Sequence, residues 1–283
     1  METSLKGKTI LVTGATNGIG LVTARQLARM GGQVTLVSRN AEKCAVVAEK
    51  IKTATGSPVE FIAADLSTLS GIMQAASDFK QRHTRLHILV NNAGGIFIKR
   101  LLTADGYEYT FALNHLSYFL LTNLLLETLK TSAPSRIVNV SSDAHYRAKM
   151  DFGNLQGERR YRGGEAYATS KLANLLFTYE LARRLEGSSV TVNAVHPGFV
   201  ATGFARNNGP LYDVGTWIAG LFGRRPEKGA ETSIYLASSP ELEGVSGKFF
   251  QDCKQIQSSR LSYDRALAGK LWQASLELTA KAM

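Results

Sequence analysis

Short apolar runs alternate with longer segments whose apolar residues recur every three or four positions, and the two kinds take turns along most of the chain. The runs at 9–12 (Thr-Ile-Leu-Val), 33–37, 59–62, 86–90, 136–140 and 190–195 are branched and bounded by turn residues, so they predict buried strands. A helix is expected after Gly20, where Leu21, Ala24, Leu27 and Ala28 line one face until Gly31-Gly32 stops it. Further helices are predicted over 41–52, 70–82, 106–129 and 167–186. The 106–129 segment is apolar nearly all round, which marks a buried helix. Pro226 opens another helix to about 237, and 248–250 reads as a short last strand. The segment 264–278 reads as an amphipathic helix with Leu267, Leu271, Trp272, Leu276 and Leu278 on its apolar side.

Such alternation implies parallel strands joined by right-handed crossovers, with helices on both faces. The expected class is α/β: a single Rossmann-type domain over residues 1–283, with a doubly wound parallel sheet of about seven strands. Ligands bind such sheets beyond the carboxyl ends of the strands, where the strand order reverses. The polar motifs of this chain fall at those ends.

The first strand runs into Thr13-Gly14-Ala15-Thr16-Asn17-Gly18-Ile19-Gly20. Glycines let backbone approach a ligand closely, and the following helix offers free N–H groups to an anion. Gly14, Thr16, Asn17, Gly18, Ile19 and Gly20 are therefore expected to hold a dinucleotide phosphate, although the spacing is G-x-x-x-G-x-G rather than G-x-G-x-x-G. The competing reading is a tight turn without a ligand. The second strand ends in Ser38-Arg39-Asn40. An acid there would accept from an adenosine ribose; Arg39, followed by Asn40, instead suits a 2′-phosphate. NADP(H) is expected over NAD(H), against the alternative of a merely solvated arginine.

The third strand leads to Ala64-Asp65-Leu66, where Asp65 can accept from an adenine amine or cap the next helix. The fourth ends in Asn91-Asn92-Ala93-Gly94, residues that brace loops and contact ligands. Asn114, in the apolar helix, needs a hydrogen-bond partner: it is either a satisfied core amide or a post for a water or a lysine. After the fifth strand, Ser142 can donate to a carbonyl oxygen. After the sixth, His196-Pro197-Gly198-Phe199-Val200-Ala201-Thr202 turns the chain back, and Thr202 can meet a phosphate or amide.

Tyr167 and Lys171 stand four apart, so they share a helix face. An ammonium beside a phenol lowers its ordinary pKa of about 10 and lets it exchange a proton near neutral pH. Alone, Tyr-x-x-x-Lys is a common surface pair. The loop between Ser142 and Tyr167 carries Met150, Phe152, Leu155 and Tyr161, which could cover a substrate. Segment 199–226 is rich in large apolar residues, Trp217 and Phe222 among them, and reads as a lid over an apolar molecule.

Composition narrows the field. The 283 residues are 44% apolar, enough for a real core, and carry a net charge of +10 from 33 Lys+Arg and 23 Asp+Glu. The densest basic stretch, Glu158-Arg159-Arg160-Tyr161-Arg162, is short and includes an acid, so a nucleic-acid partner is not expected. A phosphorylated ligand accounts for part of the excess. The two cysteines, Cys44 and Cys253, lie far apart without metal-ligand spacing and suit a reducing compartment. No metal site is expected. No apolar run reaches membrane-spanning length, and residues 1–8 read as neither signal peptide nor anchor, so the expectation is cytoplasmic with no integral membrane segment.

TGATNGIG, NNAG, the helix asparagine, the strand-end serine, YxxxK and the Pro-Gly turn occur in the order found in the short-chain dehydrogenase/reductase family, which the chain resembles over roughly residues 6–250. Thr110-Phe-Ala-Leu-Asn114-His-Leu, Phe119-Leu-Leu-Thr-Asn-Leu-Leu, Ser170-Lys-Leu-Ala-Asn174 and Leu271-Trp272 resemble its retinol dehydrogenase branch. Plant-type protochlorophyllide reductases share some of these strings but carry an extra insertion. Two departures stand out: the N-terminal anchor that membrane-bound retinol dehydrogenases carry is not expected here, and Ser117-Tyr118 stands in place of the usual Gly-His. The resemblance implies hydride transfer between NADP(H) and the carbonyl or alcohol of a small hydrophobic molecule. Tyr167 would be the general acid/base, with Lys171 on the nicotinamide ribose, Ser142 on the substrate oxygen and Asn114 holding a relay water. It also implies that Tyr167, Lys171, Asn92, Ala93, Gly94, Leu66, Pro197, Gly198, Val200 and Thr202 line the cofactor. The helices carrying Asn114 and Tyr167 would pair into a homodimer or homotetramer. A catalytically silent NADP(H)-binding regulator or scaffold is the competing class.

Overall fold

The computed structural model describes residues 4–200 and 223–282. Six parallel strands come first: β1 (Thr9–Thr13), β2 (Gln33–Ser38), β3 (Val59–Ala63), β4 (Ile88–Asn91), β5 (Ser135–Val140) and β6 (Val190–His196). β7 (Phe249–Gln251) adds a parallel strand and β8 (Lys254–Ile256) an antiparallel edge. The sheet order is β3-β2-β1-β4-β5-β6-β7-β8, so the chain reverses direction across the sheet between β1 and β4. The eighth strand exceeds the expected seven. Asp252 and Cys253 make its turn with φ of 51° and 59°, conformations that Asn or Gly usually supply. That hairpin therefore had no ordinary turn signal in the sequence.

Alternate residues of each central strand feed opposite layers. Ile10, Val12, Val34, Leu36, Val90 and Val138 pack under α1 (Gly18–Arg29), α2 (Ala41–Thr55) and the late helix Pro226–Ser238. Leu11, Val37, Leu89, Ile137 and Val192 face α3 (Leu69–Arg82) and the long helices of the other layer. Each such side chain contributes about 1.5–3 kcal/mol on burial, so both faces of the sheet are fixed.

The buried helix expected over 106–129 is not continuous. A single turn, α4 (Tyr109–Phe111), passes into a π-helical turn (Ala112–Leu116) and then α5 (Ser117–Thr131). The wider turn falls on Asn114, and π-turns frequently mark functional positions. Glu108, fully buried, caps the start by accepting from Thr110 N at 2.8 Å and Phe111 N at 2.7 Å. α6 (Gly163–Arg184) begins a turn earlier than the Tyr167 periodicity implied. Gly163 allows this, because a Cβ there would lie 2.6 Å from the Ile98 backbone. Pro226–Ser238 and Arg265–Thr279 are α7 and α8.

A ladder of buried amides and hydroxyls locks α5 and α6 onto the sheet. Asn91 Nδ2 donates to Thr122 Oγ1 at 3.0 Å and Asn139 Oδ1 at 2.9 Å, and Asn139 Nδ2 donates to Thr178 Oγ1 at 3.0 Å. Directional bonds of this kind set the rotation of α6 about its axis, which apolar contact alone leaves soft.

Candidate active site

The glycine loop leaves the carboxyl end of β1, beside the point where strand order reverses. Gly14 and Gly18 take φ of 65° and 52°. A Cβ on Gly14 would lie 2.8 Å from Ala93 Cα, and one on Gly20 would collide with the Asn92 amide and the Gly14 carbonyl. The Asn92 side chain donates back to Thr13 O at 2.8 Å and Gly14 O at 3.3 Å, and Thr13 Oγ1 accepts from Asn92 N and Ala93 N at 2.9 Å each. Thus Asn92 braces the loop, and Ala93-Gly94 follows as its wall. Thr16 is tied to Ser38 (Oγ1 to Oγ, 3.2 Å). Asn17 heads α1 without a side-chain cap, and the first turn holds no acid. By contrast, Asn40 and Thr68 cap α2 and α3 with their own side chains. The uncapped N–H groups of α1 fit a dinucleotide pyrophosphate.

Around this cradle, exposed Arg39 reaches Tyr109 Oη at 3.4 Å. Asp65 accepts from Ser67 N at 3.0 Å and Ser67 Oγ at 2.8 Å, so it holds its own turn. The Leu66 side chain is in the core. Gly198 has φ of 81° beneath the Arg224 side chain, and Val200 bridges to Arg224 beside Ile19 and α7. Thr202, and most of the segment 199–226 expected as a lid, lie outside the described residues.

The four catalytic candidates meet at the carboxyl end of β5. Lys171, 2% exposed, donates from Nζ to Val140 O at 3.1 Å. Its ammonium lies 5.6 Å from the centroid of the half-buried Tyr167 ring. The Ser142 hydroxyl hydrogen-bonds with the Tyr167 phenol. It also donates to Asp143 Oδ1 at 3.0 Å and accepts from Ala144 N at 3.2 Å. Asn114 Nδ2 donates to Gly95 O and Ser170 Oγ at 3.0 Å each, and Oδ1 accepts from Gly95 N at 2.8 Å. Both its amide hydrogens are spent, so it is a satisfied core amide that keeps one oxygen lone pair over Gly94. A Cβ on Gly94 would come 2.9 Å from Asn114 Oδ1 and 3.7 Å from Lys171 Nζ, so glycine keeps this corner open.

The expected lowering of the Tyr167 pKa is absent. Burial pushes the phenol up to about 12, partly offset by the Ser142 hydrogen bond, with Asp143 adding to the rise. The reason lies in the partner: burial draws the Lys171 ammonium down from 10.5 to about 7, which weakens the charge that was to favour the phenolate. The site thus holds a neutral phenol, a proton donor at neutral pH.

Two further residues serve the site. Asn174 Nδ2 donates to the same Val140 O that receives Lys171, at 3.3 Å; it sits three residues after Lys171, a spacing that places it on the same face. Ser141 Oγ donates to Lys171 O at 2.8 Å and clips α6 to β5. The apolar residues of the 142–167 loop do another task than expected: Met150, Phe152 and Leu155 pack on Phe111, Leu172 and Leu271. Tyr161 ties down on Phe97 O at 2.8 Å and Glu108 Oε1 at 3.0 Å.

Comparison with known proteins identifies the family. The family model described as short chain dehydrogenase matches residues 8–212. Human (Homo sapiens) retinol dehydrogenase 11 is 46% identical over 275 residues, covering 97% of this chain and 86% of that protein. An uncharacterized protein from Mycobacterium Paratuberculosis superposes with a TM-score of 0.81 at 33% identity, covering 98% and 95% of the two chains. A short chain dehydrogenase from Burkholderia cenocepacia J2315 in complex with NADP gives 0.69 at 28% identity, over 87% and 96%. Among the described residues no helix is long and apolar enough to cross a membrane. Cradle, convergent side chains and matched relatives together make this chain an oxidoreductase belonging to the short-chain dehydrogenase/reductase family and resembling its retinol dehydrogenase branch.

Proposed function

We propose that the chain catalyses reversible hydride transfer between NADP(H) and the carbonyl or alcohol of an apolar small molecule, of the retinal, aldehyde or ketone type. The observation that carries this reading is the meeting of Tyr167, Lys171 and Ser142 beside the open Gly94 corner, next to the α1 cradle. The names of the relatives, retinol dehydrogenases 11 to 14, support an apolar substrate. NADP found with a solved relative, and Arg39 at the end of β2, support NADP(H) over NAD(H).

Bound NADP(H) would supply the hydride in reduction and accept it in oxidation. The neutral Tyr167 phenol donates its proton to the alkoxide that forms as a carbonyl is reduced. In the reverse direction it takes the proton back. Ser142 orients the oxygen by turning its hydroxyl from Asp143 toward it, a donor already in place before charge develops. Lys171 would hold the ribose and, in its protonated form, favour the phenolate left after the transfer. Asn114 and Gly95 fix the floor on which Lys171 rests.

NADPH oxidation against a panel of hydrophobic aldehydes and ketones tests this. Tyr167→Phe is expected to lower kcat by about 10²–10⁴-fold while the NADPH Kd stays at the wild-type value; undiminished turnover would sink the mechanism, and a wild type without turnover on any carbonyl would favour a silent binding protein. Arg39→Ala is expected to cut the NADPH over NADH preference in kcat/KM by about tenfold, the worth of one charge-assisted phosphate contact of about 1.5 kcal/mol. Equal use of the two cofactors by the wild type would overturn the NADP(H) assignment.

A further inference from the structure

Lys171 is a buried cation without a described carboxylate bound to it, and its one hydrogen-bond acceptor among the described residues, Val140 O, is shared with Asn174. What favours its charged form must come from elsewhere. Two aromatic faces supply it: Tyr167 on its own helix, and Tyr118 from α5, whose ring centroid lies 5.8 Å from Nζ. Both distances fall within the range in which a ring quadrupole attracts an ammonium, and the attraction is strongest where water is excluded. Tyr118 is 1% exposed, and its hydroxyl has no hydrogen-bond partner among the described residues. A buried phenol that makes no use of its hydroxyl is held there by its ring.

We propose that Tyr118 is a positioning residue that keeps Lys171 protonated, closing with Tyr167 an aromatic clamp on the ammonium. It acts through Lys171 and needs no contact with substrate. The inference rests on the catalytic reading only for its effect on turnover; its effect on Lys171 is a property of the free protein. The groups around the ammonium are the two phenols, the Val140 carbonyl and the Asn174 amide, with the Asn114 amide oxygen at the same Gly94 corner; Asp143 acts on the Tyr167 phenol. Burial brings Lys171 down to about 7, so loss of a ring face moves its titration within the neutral range.

The test follows Lys171 directly in the dinucleotide-free protein, by carbon NMR of lysine labelled at Cε, the signal being assigned by its loss in Lys171→Met. Tyr118→Leu is expected to lower the Lys171 pKa by about one unit, a tenfold change in its proton affinity. Tyr118→Phe, which keeps the ring, should hold the titration at its wild-type position. In turnover, the alkaline limb of kcat/KM should move to lower pH by the same unit in Tyr118→Leu, because the ammonium is lost sooner as pH rises. Melting curves for each variant confirm that it is folded; if Tyr118→Leu fails to fold, Tyr118→Met takes its place. An unmoved Lys171 titration in the folded ring-less variant overturns the proposal, and so does a Tyr118→Phe shift as large as that of Tyr118→Leu. Failure of the catalytic reading looks different: Tyr167→Phe would then turn over as the wild type does, whatever Lys171 titrates at.

Discussion

The two ends of the sheet treat charge in opposite ways. At the amino end, Lys8, Arg136, Lys248 and Arg265 rim a trough of about 1200 Å³. Two polar groups there are spent on backbone: His87 Nδ1 accepts from Thr9 N at 2.9 Å, and Arg136 Nη1 donates to Leu236 O at 3.2 Å and Ser239 O at 2.7 Å. At the carboxyl end a single cation, Lys171, is almost wholly buried beside a phenol, and an entire helix start is left without a side-chain cap. One end spends its polar groups on holding the fold. The other keeps costly groups in reserve, and such unmet demand is what a ligand can satisfy.

Substitutions can sharpen or break this contrast. The largest effect is expected from Gly20→Ala, whose methyl has the Gly14 carbonyl in its way. It should raise the NADPH Kd about 100-fold and cost about 1–3 kcal/mol of stability; calorimetry and urea titration read both, and wild-type affinity would show that the cradle is not where dinucleotide sits. Next comes Lys171→Met. The folded pKa of about 7 lies below the ordinary 10.5, so the unfolded chain binds more protons across that window and wild-type stability rises with pH through it. Between about pH 6 and about pH 9 the wild type should gain on the order of 2–3 kcal/mol relative to Lys171→Met, which lacks the titration. Parallel stability curves for the two proteins would mean that Lys171 is not strained by burial. The smallest effect belongs to the amino end. Arg136→Met strips the last carbonyls of α7 of their donor and should cost about 1–2 kcal/mol in urea denaturation, with kcat and KM unmoved. A change in KM there would mean that the two ends are coupled.

The fold was legible because the strands are buried on both faces and read as continuous apolar runs, and because each crossover helix has its own periodicity. What escaped were places where local chemistry runs against habit. The β7–β8 hairpin turns on Asp252-Cys253 rather than on glycine. The π-turn at Asn114 adds a residue to one turn of helix, a change that no apolar period registers. Of the candidate site, the residue types were readable and their employment was not. For Asn92 and Asp65 the sequence left loop-bracing and ligand contact both open, and the structure shows the bracing; Asn40, expected beside a phosphate, caps α2 with its side chain. Whether a given amide faces inward or outward depends on a side-chain rotation, and spacing does not encode rotation. The sign of the Tyr167 shift escaped for a similar reason. Adjacency to Lys171 suggested a lower pKa, but burial acts on both partners and lowers the very charge that was to help.

The neck of the 201–222 segment has a consequence of its own. Arg224 N donates to Phe199 O at 2.8 Å, Val200 and Arg224 form a parallel bridge, and the Arg224 guanidinium pairs with Asp252 at the hairpin. Entry and exit are therefore stitched together on the rigid sheet side. With its ends pinned, a connection pays little for added length, about 0.6 kcal/mol for each doubling. The two described ends of that connection thus share one anchor, so losing the Arg224 side chain would loosen both at once.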